Sequence, residues 1–190
     1  MASRDCIIIH GCPSGPDGEL DVDTRSYDKH WIPWVREKLI EQGIPTIAPI
    51  MPDPWAPNYE RFKEEFERYP VSEETVLIGH SCGCAFLVRW LGESQQRIHA
   101  LILVAPWKVP RAGDPGRKAY YEFEIDETIR SRVQRVIMFT SETEHDDGKK
   151  SLEIYHTALG GEIVSIPNKG HYISAHMGTL EFPELLNAIV

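Results

Sequence analysis

The sequence has no excess of positive charge, no long apolar run and no internal repeat. Lys plus Arg number 20 against 29 Asp plus Glu in 190 residues, which gives a net charge of −9. Binding to phosphate backbones or to anionic membrane surfaces requires clustered cations, which this composition does not favour. No segment approaches the roughly 20 apolar residues that are needed to cross a bilayer. We therefore expect neither a nucleic acid nor a membrane as a partner.

Cysteine is also scarce, with Cys6, Cys12, Cys82 and Cys84 as its four occurrences. The first residues lack the apolar segment that is typical of a secretory signal peptide, so we expect a cytoplasmic protein with four reduced thiols. The C-x-C spacing of the last two cysteines matches neither a redox motif nor a zinc-binding motif. The sequence therefore predicts no metal site, and we expect no cofactor.

Short apolar runs alternate with longer amphipathic segments along the whole chain, and we expect one domain over residues 1–190. The pattern predicts six strands, at residues 6–10, 44–50, 75–78, 100–104, 135–139 and 162–166. It predicts helices at residues 30–42, 58–69, 85–91, 151–159 and 180–189. This alternation is typical of the α/β class, as a three-layer α/β/α sandwich around a mostly parallel six-stranded sheet. Ligands bind at the carboxyl ends of the strands in such sheets.

One motif stands between a predicted strand and a predicted helix: Gly79-His80-Ser81-Cys82-Gly83. In this context G-x-S-x-G is typical of a nucleophile elbow, a sharp turn that exposes the serine hydroxyl. A side chain at either glycine would collide with the neighbouring strand or helix. Ser81 is therefore the candidate nucleophile.

A serine hydroxyl needs a base to take its proton, and the base needs a carboxylate to orient it. His171 follows the sixth predicted strand in a Gly-His turn, which makes it the candidate base, with His176 as an alternative. The segment after the fifth predicted strand, residues 140–147, is rich in carboxylates. These residue types leave the choice of acid open.

An acyl-transfer site also needs two backbone N–H groups for the negative charge that develops on the substrate oxygen. The residue after the nucleophile, Cys82, supplies one at the N-terminus of a predicted helix. The loop after the first predicted strand supplies the other. Pro13 has no N–H, so the sequence indicates Cys12.

Two tryptophans, Trp55 and Trp107, follow predicted strands on the side where the site is expected. We predict that they bind substrate. Their apolar rings favour an acyl group of modest size.

The chain resembles the α/β-hydrolases, and most of all the small, lidless serine hydrolases of the retinoblastoma-binding protein 9 and YdeN family. The matching segments are His10-Gly11, the elbow at 79–83, Val104-Ala105-Pro106 and Gly170-His171-Tyr172. The resemblance implies a six-stranded parallel sheet that lacks the first two strands of larger hydrolases. It also implies hydrolysis by Ser81 and His171 with an acid.

The same resemblance implies which carboxylate acts as the acid. In the family, Asp stands three residues after a Gly or Ser that follows the penultimate strand. That register starts here at Ser141 and arrives at Glu144, so Glu replaces Asp. Asp146 is the next candidate.

The predicted function is that of a serine hydrolase, which cleaves an ester, thioester or related acyl bond of a small molecule through an acyl-enzyme. The alternative is a protein-interaction module on a hydrolase scaffold, with weak or no catalysis and an unknown protein partner. A fluorophosphonate probe, which labels an activated serine, distinguishes the two.

Overall fold

The computed structural model describes residues 4–17, 19–110 and 115–189. Six strands lie in these ranges: β1 Asp5–Ile9, β2 Thr46–Ile47, β3 Thr75–His80, β4 Ile98–Val104, β5 Val133–Thr140 and β6 Glu162–Ser165. The helices there are α1 Ile32–Glu41, α2 Tyr59–Phe66, α3 Cys82–Ser94, α4 Pro115–Tyr121, α5 Ile129–Arg132, α6 Asp146–Leu159, α7 Ser174–Met177 and α8 Pro183–Ile189. None of these helices is long and apolar enough to cross a membrane.

The six strands form one sheet in the order β2-β1-β3-β4-β5-β6, and every neighbouring pair is parallel. The chain moves from β1 outward to β2 and then returns to the other side of β1 as β3. The order therefore reverses between β1 and β3, where Ile9 is paired with Gly79. The loops after these two strands diverge to opposite faces and leave a crevice, which is where parallel sheets bind ligands.

Helices cover both faces of the sheet, as the predicted three-layer architecture requires. Side chains of α1, α7 and α8 pack with one face around the fully buried Trp31 and Tyr172. Side chains of α2, α3, α4 and α6 pack on the other face around Phe62, Phe86 and Tyr155. The α/β class and the parallel six-stranded sheet are confirmed.

Several segments differ from the sequence prediction, among them the short helices α5 and α7, where no helix is predicted. The second strand is only Thr46–Ile47 instead of residues 44–50, because Pro45 and Pro49 have no N–H for the ladder. Helix α6 begins at Asp146 instead of residue 151, because carboxylates in a first turn are stabilised by the helix dipole. Helix α4 lies in a stretch expected to be a connection, part of which, residues 111–114, is outside the described residues.

Candidate active site

Ser81 lies in the turn between β3 and α3 with φ 52° and ψ −118°, a conformation that residues with side chains seldom adopt. Its N–H donates to the carbonyl oxygen of Val104 over 3.0 Å. Its own carbonyl oxygen accepts from the N–H groups of Cys84, at 3.1 Å, and Trp107, at 3.3 Å. The strained turn is therefore held by three backbone hydrogen bonds, two of them to β4 and the segment that follows it.

The two glycines of the elbow are needed for close packing. A Cβ at Gly79 would lie 2.7 Å from the backbone nitrogen of Cys84, and one at Gly83 would lie 2.5 Å from the carbonyl oxygen of Ile9. Both distances are well inside van der Waals contact, and both neighbours are backbone atoms that cannot rotate away. The collisions expected from the sequence would therefore occur, and they set α3 directly against the ends of β1 and β3.

The structure brings Ser81, His171 and Glu144 into one chain of hydrogen bonds. His171 Nε2 lies 2.8 Å from Ser81 Oγ, and His171 Nδ1 lies 2.8 Å from Glu144 Oε2. Because the carboxylate only accepts, Nδ1–H donates to it and Nε2 is left to accept from the serine hydroxyl. The Glu144 side chain is 1% exposed, and its other oxygen accepts from the N–H of His145 over 2.8 Å.

The two competing residues, Asp146 and His176, are not part of this chain of hydrogen bonds. Asp146 is exposed in the first turn of α6. His176 Nδ1 accepts from the backbone N–H of His171 over 3.1 Å, so its ring supports the turn that carries His171.

The loop that carries His171 is joined to the loop that carries Glu144 by side chains that the sequence analysis did not single out. Three consecutive polar side chains after β5 accept from three consecutive N–H groups after β6. The pairs are Glu142 with Asn168 at 2.9 Å, Ser141 with Lys169 at 3.0 Å, and Thr143 with Gly170 at 3.0 Å. These bonds hold the two loops in register, so the histidine and the carboxylate arrive at hydrogen-bonding distance.

The carboxylate of Glu144 lies against α6 at a position where the helix has no side chain. A Cβ at Gly148 would lie 2.8 Å from Cγ and from Cδ of Glu144. Glycine inside a helix costs about 1 kcal/mol relative to alanine, so its place here needs a compensating reason. The space that it leaves accommodates the longer glutamate side chain.

Cys12 and Cys82 are joined by a disulfide, with their Cα atoms 5.8 Å apart. The expectation of four reduced thiols is therefore wrong for this pair, while Cys6 and Cys84 are free and buried. The two partners are 70 residues apart in sequence and meet because β1 and β3 are neighbours in the sheet. Within the described part of the chain, neither the Cys12 nor the Cys82 N–H has a hydrogen-bond acceptor.

Two buried histidines fix the backbone around the site. His10 donates from Nδ1 to the carbonyl oxygen of Gly11 over 2.7 Å and accepts at Nε2 from the N–H of Met51 over 2.9 Å. Burial lowers the pKa of His10 to about 4, so its ring is neutral as this pair of bonds requires. His80 donates from Nε2 to the carbonyl oxygen of His171 over 2.9 Å, and burial lowers its pKa well below the ordinary value.

A cavity of about 290 Å³ opens beside Ser81. Trp107 lies on its wall, with its ring centroid 5.3 Å from that of His171 and perpendicular to it. Trp55 is not among the described residues that line the cavity; its carbonyl oxygen accepts from Arg117, which does line it. The cavity walls are therefore mixed, and their apolar part comes from Trp107 together with Pro13, Ile173 and two tyrosines, and not from Trp55.

Comparisons with known proteins agree with this architecture. A family model described as serine hydrolase matches residues 24–189. The serine hydrolase RBBP9 of Rattus norvegicus is 27% identical over 184 residues, which cover 91% of this chain and 89% of that protein. YdeN of Bacillus subtilis (strain 168) is 32% identical over 84 residues, which cover 42% of this chain and less than half, 44%, of that protein.

Solved structures show the same fold at low sequence identity. The crystal structure of the ydeN gene product from B. subtilis has a TM-score of 0.82 at 18% identity and covers 98% of each chain. The esterase domain of a Rhodothermus marinus protein has a TM-score of 0.62 at 16% identity, and the match covers 98% of this chain and 87% of that one.

Proposed function

The chain belongs to the serine hydrolase family, and we propose that it cleaves an ester, thioester or related acyl bond of a small molecule through an acyl-enzyme on Ser81. The observation that carries this proposal is the unbroken path from Ser81 Oγ through His171 to Glu144, with 2.8 Å at each step. A serine outside such a path is a poor nucleophile at neutral pH, because its hydroxyl holds its proton.

In the first half of the reaction, His171 Nε2 takes the hydroxyl proton as Ser81 Oγ attacks the acyl carbon. The imidazolium that forms is stabilised by the buried carboxylate of Glu144, which also keeps the Nδ1–H tautomer in place. His171 Nε2–H then donates its proton to the leaving alcohol or thiol. The acyl group is left on Ser81.

The negative charge on the substrate oxygen lies between the N–H groups of Cys12 and Cys82 in this proposal. Cys82 is the first residue of α3, whose N-terminus carries a partial positive charge. Each such donor is worth about 10²–10³ in kcat. Water then enters, gives one proton to His171 Nε2 and attacks the acyl carbon. The bond to Ser81 Oγ breaks, Oγ takes the proton back from His171, and the acid leaves.

The cavity suggests the size of the substrate. A volume of about 290 Å³ lies at the lower end of the range for small-molecule sites, roughly 300–1,000 Å³. We therefore expect short acyl esters to be cleaved faster than long-chain esters. A panel of 4-nitrophenyl esters of increasing acyl length measures this preference.

Replacing Ser81 with alanine tests the proposal. We expect hydrolysis to fall by up to about 10⁶ and fluorophosphonate labelling to disappear, because Ser81 Oγ is the hydroxyl that lies at hydrogen-bonding distance from His171 Nε2. Ser165→Ala, at the exposed end of β6, is the matched control and should keep both. A folded wild-type protein that neither takes the label nor cleaves any ester in the panel would refute the proposal and favour an interaction module.

A further inference from the structure

The disulfide joins the two loops that carry the proposed oxyanion donors. Cys12 is the third residue after β1, and Cys82 is the first residue of α3. We propose that this disulfide is a thiol-exchange site: dithiols or paired small thiols reduce it, and reduction slows the hydrolysis. This inference rests on the proposed function, because the rate that it changes is that of Ser81 acylation.

The two cysteine residues of the disulfide differ in exposure. Cys12 is half-buried and lines the cavity beside Ser81, whereas Cys82 is 1% exposed. An incoming thiolate that enters the cavity therefore meets Cys12 Sγ first. The cavity that admits the substrate also admits the reductant, so exchange needs no unfolding of the elbow.

The position of Cys82 makes its sulfur the better leaving group when the disulfide is attacked. Cys82 is the first residue of α3, a helix of 13 residues, and the partial positive charge at the helix N-terminus stabilises a thiolate that forms there. The external thiolate forms a mixed disulfide with Cys12 Sγ as the Cys12–Cys82 bond breaks, and the electron pair leaves on Cys82 Sγ.

A second thiol of the reductant completes the exchange. It attacks the sulfur of the reductant in the mixed disulfide and leaves Cys12 as a thiolate. The net reaction turns one protein disulfide and two external thiols into two protein thiols and one external disulfide. Two electrons and two protons pass to the protein.

The consequence of reduction falls mainly on the Cys12 side. Cys82 is held independently of the sulfur bond, because Gly83 lies so close to the carbonyl oxygens of Ile9 and His10 that a Cβ there would be at 2.5 and 2.7 Å. Cys12 instead lies near the beginning of a segment, residues 10–31, whose described residues include no helix or strand. Reduction therefore removes the covalent bond that ties the Cys12 N–H to the Cys82 N–H, and leaves Cys12 held by the hydrogen bonds that His10 and Arg117 donate to the carbonyl oxygens of Gly11 and Pro13.

The size of the effect follows from that difference. Loss of a whole oxyanion donor costs about 10²–10³ in kcat. The reduced enzyme keeps the donor but not its fixed position, so we expect kcat to fall by about tenfold to a hundredfold. Binding of the ground-state substrate does not depend on this N–H, so KM should stay within about twofold.

The other two cysteines are not able to produce this response. Cys6 and Cys84 are free and fully buried, and burial raises the pKa of each thiol far above its ordinary value. Both therefore stay as unreactive thiols. Cys6→Ala, on the far end of β1 from the site, is the matched control.

The test measures thiol count and kinetics on the same samples of the full chain. Wild-type protein is equilibrated with oxidised or reduced dithiothreitol, quenched in acid and alkylated in denaturant, and its mass gives the number of free thiols. Parallel samples are assayed with 4-nitrophenyl acetate and with a fluorophosphonate probe, and near-ultraviolet circular dichroism reports the packing.

We expect two alkylated cysteines in the oxidised protein and four in the reduced protein, with the rate recovering on reoxidation. Cys12→Ala should have the rate of the reduced enzyme and should not respond to dithiothreitol. Cys6→Ala should respond as the wild type does.

Three results would overturn the switch and leave the proposed function standing: equal kcat in both states, four free thiols after oxidation, or loss of packing on reduction. The last would make the disulfide a structural crosslink. If the protein showed neither hydrolysis nor labelling in both the oxidised and the reduced state, the proposed function would be refuted, and the switch with it.

Discussion

Replacing Gly148 with alanine tests whether the space above Glu144 controls activity. The new Cβ would lie 2.8 Å from Cγ and Cδ of Glu144, whereas carbon atoms in contact prefer about 3.5–4.0 Å. The carboxyl group must therefore move by about 0.7–1.2 Å, or α6 must shift by a similar amount. A misplacement of about 1 Å in a catalytic group costs about 10²-fold in rate, so we expect kcat/KM to fall by that order.

Although kcat/KM falls in Gly148→Ala, the free energy of unfolding of this variant should rise or stay unchanged. Alanine in place of glycine inside a helix contributes about 0.5–1 kcal/mol, which offsets the cost of the displaced carboxylate. The assay is therefore kcat/KM on a short ester beside the free energy of unfolding by urea. Lys150→Ala, exposed on α6, controls for a change of helix propensity alone.

A double-mutant cycle with Glu144→Asp makes the test specific. Aspartate is shorter by one methylene and withdraws from the position that the new Cβ occupies. Glu144→Asp alone should lower activity, but adding Gly148→Ala to it should lower activity no further, which is a strong departure from additivity. Wild-type kcat/KM for Gly148→Ala, or equal losses in the two backgrounds, would refute the argument from space.

Three further predictions concern the acid, the loop that positions the base, and pH. Glu144→Gln should lower kcat by about 10⁴ while Asp146→Asn stays near wild type, because only the buried carboxylate bonds to the imidazole; the reverse order on one ester would show that the acid is misassigned. Thr143→Val removes the hydroxyl that accepts from the N–H of Gly170 over 3.0 Å, in the loop that carries His171. The free energy of unfolding, measured with urea, should fall by about 1 kcal/mol, and kcat should fall while KM changes less. The pKa of His10 and of His30 is lowered, chiefly by burial, from 6.5 to about 4, so the unfolded state binds protons first as the pH falls. As the pH falls from 6.5 to about 4, each histidine should therefore lower the free energy of unfolding by on the order of 3 kcal/mol. In His30→Gln the free energy of unfolding should fall less steeply with pH, by one such contribution. The same pH dependence in the variant and the wild type would contradict this prediction.

Some features of this protein follow from short-range sequence alone. The elbow at residues 79–83 is recognisable because a buried strand, two glycines around a central serine, and a helix occur within a few residues. The six-stranded parallel sheet follows from alternation, because parallel strands need long crossovers and the helices supply them. The elbow depends on contacts between residues that are close in the chain, and the class of the sheet depends on the order and the local periodicity of the segments.

The prediction of Glu144 combined a local register with a family resemblance, and the residue types by themselves left it open. Only the tertiary structure shows that α6 begins at Asp146, so that this residue lies in an exposed first turn. Glu144 lies in the loop before the helix and contacts His171, which is 27 residues away in sequence. The residue at which a helix begins depends on which carboxylates the helix dipole stabilises and on what the helix packs against. The sequence pattern shows the carboxylates but not the packing.

The sequence by itself determined the strand–turn–helix that carries Ser81 and the class of the sheet, because these depend on periodicity and on local steric limits. Only the tertiary structure decided the Cys12–Cys82 disulfide, the space at Gly148, and the absence of Trp55 from the described cavity wall. Each of these depends on which strands are neighbours and on which helix passes over which side chain. Such distances are set by strand order across the whole sheet, and no pattern within a short stretch of sequence contains them.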